Sequence, residues 1–126
     1  MSTALWYLPA TMSVDMNITV DKNTTYSQDI LWETSAGAPV DLTGYHAYMQ
    51  VRTSSGNALI LSLSDSTYGL TINVGLSKIT IGLTPAETAS LNAGIYIYDL
   101  LILAPDGTKT KVIGGQFILK NTVTEI

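Results

Sequence analysis

The sequence contains no cysteine, one histidine and one arginine. Without cysteine, no disulfide, thiolate metal site or cysteine nucleophile can form. With His46 as the sole histidine, one chain cannot build a two-histidine metal site, and a Ser-His-Asp arrangement would have to use that residue. Charge is scarce as well: 13% of residues are Asp, Glu, Lys or Arg, six basic against ten acidic, for a net charge of −4. The Lys/Arg stripe that a phosphate backbone requires is missing, which argues against nucleic acid as a partner. No apolar run approaches the ~20 residues of a membrane span. The longest, Leu100 to Ala104, is strand length, so no membrane partner is expected. Residues 1–16 lack the basic n-region and long apolar core of a secretory signal, so synthesis in the cytoplasm is the expectation.

What is present is β-forming sequence. Thr, Ile and Val number 17, 12 and 7, together 36 of 126 residues, beside seven Tyr. These types favour strands. A hydrophobic content of 46% and a mean hydropathy of +0.26 exclude disorder. At this length one domain with one core is expected.

Turn signals divide the chain into short alternating segments. Val14, Met16, Ile18 and Val20 alternate over one strand, and Thr25 to Trp32 form a second after Asp21-Lys22-Asn23. On the strand from Tyr45 to Arg52, Tyr45, Ala47, Met49 and Val51 share the core face, and His46, Tyr48, Gln50 and Arg52 the other. Ser54-Ser55-Gly56-Asn57 is a hairpin loop before Ala58 to Leu63, and two more alternating strands flank Gly75-Leu76-Ser77. Thr84-Pro85-Ala86-Glu87 reads as a capping box with proline at the first helical position, opening a helix of two turns at most that bridges two sheets. Ile95 to Leu103, apolar on both faces, reads as a central strand. Pro105-Asp106-Gly107 turns the chain into a last strand with a bulge expected at Gly114-Gly115. Some eight strands at 8–12-residue spacing describe an all-β fold, an antiparallel immunoglobulin-like β-sandwich with one short helix. The expected division is an N-terminal arm or edge segment over 1–13 and the sandwich over 14–126.

Chemistry-bearing residues are few. No nucleophile elbow, phosphate loop or metal-ligand spacing occurs, so no catalytic, cofactor-binding or metal-binding residue is assigned, no cofactor is expected, and the chain is read as no enzyme. His46 reads as a surface or half-buried strand residue. Asp99 interrupts an apolar strand, where a bare carboxylate is costly to bury, and a structural ion pair with Arg52, the sole arginine, is expected. The turn aspartates, among them Asp41, Asp65 and Asp106, read as caps of local amides. Asn17-Ile18-Thr19 and Asn23-Thr24-Thr25 match glycosylation sequons, to which no role is given. The apolar cluster Leu5, Trp6, Tyr7 and Leu8 is the candidate interface: either an edge strand on its own core or an anchor inserted into a neighbouring subunit. Asn121 to Ile126 reads as a second arm or the stub of a last strand.

Trp32-Glu33, Gly37-Ala38-Pro39-Val40-Asp41-Leu42-Thr43-Gly44-Tyr45 and Ala47 to Arg52 resemble a group of small tailed-phage proteins, in particular the immunoglobulin-like N-terminal domain of phage baseplate upper proteins. The resemblance continues through Thr84 to Ala89, Gly94 to Leu100, Pro105-Asp106-Gly107 and Gly114 to Phe117, covering residues 17 to 120. It implies a non-enzymatic structural protein of the virion, made in the host bacterial cytoplasm. In that reading the chain is an adaptor, anchoring or decoration subunit of the tail, baseplate, collar or fibre attachment region. Its implied partners are other virion proteins and identical copies. Baseplate upper proteins continue into a long receptor-binding region, so the expectation here is a stand-alone adaptor or an anchor for another protein. The alternative is a carbohydrate-binding or adhesin-type sandwich engaged in host-surface binding, in which outward Tyr48, Tyr96 or Tyr98 stacks on a sugar ring.

Overall fold

Alternating burial along each strand builds two sheets that face each other across a single apolar layer. The computed structural model describes residues 5–9, 13–34 and 37–124. In chain order its strands are β1 (Leu5–Pro9), β2 (Val14–Asp15), β3 (Ile18–Asp21), β4 (Tyr26–Glu33), β5 (His46–Thr53), β6 (Leu59–Ser64), β7 (Leu70–Asn73), β8 (Lys78–Leu83), β9 (Gly94–Leu103) and β10 (Lys109–Lys120). One sheet has the order β1-β4-β8-β7. The other runs β2-β10-β9-β5-β6, with β3 also on β10. Ile30 and Trp32 of β4 and Ile79 and Ile81 of β8 meet Met49 and Val51 of β5, Leu100 and Ile102 of β9 and Phe117 of β10 in one core. Each such side chain contributes about 1.5–3 kcal/mol by leaving water.

The sandwich and its short α-helix follow the sequence pattern, and β5 presents the two faces its alternation predicts. Three details differ. The expected antiparallel pairing holds for the hairpins, but β1 lies parallel to β4, and β2 and β3 lie parallel to β10. Parallel neighbours require a crossover. The chain supplies one by leaving the first sheet after β1, passing through the second as β2 and β3, and returning as β4.

The alternating run Val14 to Val20 is also broken in two. At the break the Asn17 Oδ1 accepts the Gln116 amide at 3.0 Å, and the Met16 carbonyl accepts the Tyr98 hydroxyl at 2.6 Å. The Met16 amide still donates to the Gly114 carbonyl at 2.9 Å, and side chains make the other bonds there. Finally, the β9–β10 register shifts between Lys111 and Ile113, so the irregularity sits at Val112 and not at Gly114-Gly115. The glycines serve close approach: a Cβ on Gly115 would stand 2.6 Å from the Met16 carbonyl oxygen.

The helix α1 (Pro85–Ala89) carries the capping box in full, with the Thr84 amide on Glu87 Oε1 at 2.8 Å and the Glu87 amide on Thr84 Oγ1 at 3.2 Å. It links β8 of one sheet to β9 of the other. Its wholly buried Thr88 donates to the Thr24 carbonyl at 2.9 Å and accepts the Thr24 amide at 3.2 Å. One hydroxyl thus ties the helix to the turn that follows β3.

Candidate interaction surface

The N-terminal segment forms β1 along the edge of β4, with Leu5 opposite Asp29 and Pro9 opposite Glu33. Trp6 is half-buried and packs against the core. The side chains of Leu5, Tyr7 and Leu8, on which the interface reading also falls, lie outside the described residues. At the other end, residues 121–124 follow β10, and the Thr122 hydroxyl donates to the Lys22 carbonyl at 2.8 Å.

A second surface was not singled out in the sequence. Strand β9 is central, between β10 and β5, as its apolar character predicts. Its even-numbered residues Tyr98, Leu100 and Ile102 face the core, but its odd-numbered residues look outward, and among the described residues no third layer covers them. Ile95 is 57% exposed, Ile97 40%, and Tyr48 on the neighbouring strand 43%. The signal was there in Ile95, Ile97, Leu101 and Leu103. Read as a second buried face, it marked an uncovered one.

Asp99 sits at the middle of this stripe, opposite Gln50 on one side and Gly114 on the other. The expected ion pair with Arg52 is not formed. Arg52 lies opposite Ile97, one outward position along the sheet, and its guanidinium donates to Gln50 Oε1 at 2.8 Å and the Asn57 carbonyl at 3.1 Å. Those nearer acceptors on its own strand and hairpin take its donors. Among the described residues the Asp99 carboxylate has no hydrogen bond or ion pair. Two shallow depressions of about 480 and 500 Å³ lie on this face and share Gln50 and Asp99. Tyr48, Leu101 and Lys109 line the first; Asp15, Arg52, Asn57 and Lys111 line the second.

His46 is exposed, with its Nδ1 at 3.1 Å from Asp65 Oδ2. A carboxylate only accepts, so this contact selects the Nδ1–H tautomer. Among the described residues no hydroxyl is hydrogen-bonded to the imidazole, and no group of three or more His, Cys, Asp or Glu could hold a metal ion. Asp41 and Asp106 cap turns as their positions predict. Bonds from the Thr43 hydroxyl and amide lower the Asp41 pKa, and the Thr108 amide lowers that of Asp106. Asp65 instead reaches across to accept the Ala47 amide at 2.8 Å, and Asp29 accepts the Thr80 hydroxyl at 2.7 Å. Of the three tyrosines considered for stacking, only Tyr48 faces out. Tyr98 is buried, Tyr96 packs against the core and donates to the Asn92 carbonyl, and burial raises the Tyr98 pKa.

No family model and no curated protein matches the sequence. Among solved structures, the N-terminal domain of phage TP901-1 ORF48 shares the fold, with a TM-score of 0.56 over 95% of this chain and 99% of that one, at 11% identity. CopC from Methylosinus trichosporium OB3b aligns over 64% of this chain and 67% of its own at 16% identity. Its TM-score of 0.39 carries no weight.

Proposed function

We propose that this chain is a non-enzymatic structural subunit of a tailed-phage virion, serving as an adaptor, anchor or decoration of the tail, baseplate, collar or fibre attachment region. The observation that supports it best is the likeness in fold to a phage protein domain along nearly the whole length of both chains. The sequence resemblance over residues 17 to 120 points the same way. A surface poor in charge, protected little against association, suits a subunit that is covered in use. Its partners in this reading are other virion proteins and identical copies, and its location is the particle. Contact runs through the β1 segment, where Trp6 anchors the edge of β4, and through the sheet edges, since a free edge accepts a further strand.

Quantitative mass spectrometry of purified particles from the phage that encodes the chain tests this. The chain should be present at a fixed number of copies per particle and visible in an electron-microscopy map. Removing residues 1–12 should abolish incorporation while the sandwich stays folded. Absence of the intact chain from particles overturns the reading, and normal incorporation of the truncated chain overturns the role of β1.

A further inference from the structure

We propose that the outward face of β5, β9 and β10 is a binding site for a neutral oligosaccharide. The two depressions share Gln50 and Asp99 and so form one trough running along β9 from Leu103 to Ile97. At about 3.4 Å per residue that trough is roughly 20 Å long, and its depressions fall in the volume range of small-ligand sites. Its ends offer apolar platforms, Tyr48 with Leu101 at one and Ile97 at the other. Between them stand a carboxylate acceptor, Asp99, and the donors Arg52, Lys109 and Lys111. A pyranose ring matches this mixture: it has an apolar C–H face for the aromatic ring and an edge of hydroxyls, each able to donate and to accept.

The unpartnered Asp99 decides between occupants. A dry protein cover would strand a half-buried charge, which is costly, and the cores of protein interfaces are depleted of charged residues. Sugar hydroxyls would instead donate to it. An anionic ligand would be drawn by Arg52, Lys109 and Lys111 but would meet the Asp99 carboxylate at the centre of the trough. An extended peptide adds to a sheet edge, whereas the backbone of β9 is already paired on both sides. The inference does not rest on the virion reading, since sugar binding and incorporation into particles are measured separately and either can fail alone.

The test is an NMR titration of the full chain with cellohexaose, maltohexaose and chitohexaose, following backbone amide shifts. At least one of the three should move the amides of Tyr48 to Arg52 and Ile97 to Leu103 in a saturable way. Asp99→Asn and Tyr48→Ala should each weaken that binding at least tenfold, while Lys78→Ala on the opposite sheet leaves it unchanged. Because the Asp99 carboxylate makes no internal bond, Asp99→Asn should fold as the parent does, with an unchanged melting temperature. No shifts with any of the three sugars, shifts mapping elsewhere, or undiminished affinity in Asp99→Asn would each overturn the proposal. So would binding of heparin or an apolar peptide to the trough in place of the sugars.

Discussion

Replacing Gly115 with alanine should pry the parallel edge formed by β2 and β3 away from β10. The added Cβ would stand 2.6 Å from the Met16 carbonyl oxygen and 3.0 Å from Asn17 Oδ1, where ordinary contact begins at 3.4 Å. The Met16 backbone must therefore recede by about 0.8 Å, the difference of the two figures. That carbonyl is held by the Tyr98 hydroxyl, and Asn17 is held by the Gln116 amide, so neither moves without stretching a bond. Overpacking of this kind costs about 1–3 kcal/mol, which in a domain of this size lowers Tm by roughly 4–12 °C. Gly82, the penultimate residue of β8, is the internal control, because nothing lies within 4 Å of its would-be Cβ. Gly82→Ala should raise stability by about 0.4–1 kcal/mol through the unfolded chain. Thermal and urea melts of both variants, with hydrogen exchange at the Ile18 to Asp21 amides, make the comparison. A Gly115→Ala protein that melts at or above the parent with unchanged protection of β3 refutes the close approach.

Three further outcomes follow from the same contacts. Thr88→Val keeps the shape of a wholly buried side chain but orphans both backbone groups of Thr24, so stability should fall by about 1–3 kcal/mol; a urea midpoint equal to the parent's would show that the hydroxyl is dispensable. A double-mutant cycle on Arg52→Ala and Asp99→Ala should give a coupling below about 0.5 kcal/mol, as for residues sharing no contact, and a coupling above about 1 kcal/mol would mean that the pair forms after all. Burial pushes the Tyr26 pKa up to about 12 and that of Tyr98 higher still, from 10.0 for the free side chain. Above pH 10 the unfolded chain therefore binds fewer protons than the folded one, and stability falls as pH rises. In a phenolate absorbance titration Tyr26 and Tyr98 should ionise only with loss of β structure; reversible ionisation of Tyr98 near 10 in the folded protein would contradict this.

The sequence was most legible where one local rule acts alone. Thr84-Pro85-Ala86-Glu87 specified its helix because the capping box is complete within four residues. Pro105-Asp106-Gly107 specified its turn because Gly107 takes a φ of 90°. The alternation from Tyr45 to Arg52 assigned both faces of β5 because only one of them meets the core. Legibility failed where partners distant in sequence decide. The split between β2 and β3 depends on Gln116, 99 residues from Asn17, and on Tyr98, 82 residues from Met16. The fate of Arg52 depended on acceptors at Gln50 and Asn57 that sequence reasoning did not weigh against Asp99. The trough was missed for a different reason: periodicity shows that both faces of β9 are apolar but not whether a second layer covers each one.

The placement of the first strands also bears on the order in which the fold closes. Strands β2 and β3 come early in the chain but lie against β10, the last strand. Their ladder closes a loop of nearly the whole domain, and contacts so distant in sequence form slowly. The β5–β6, β7–β8 and β9–β10 hairpins, by contrast, need only local turns.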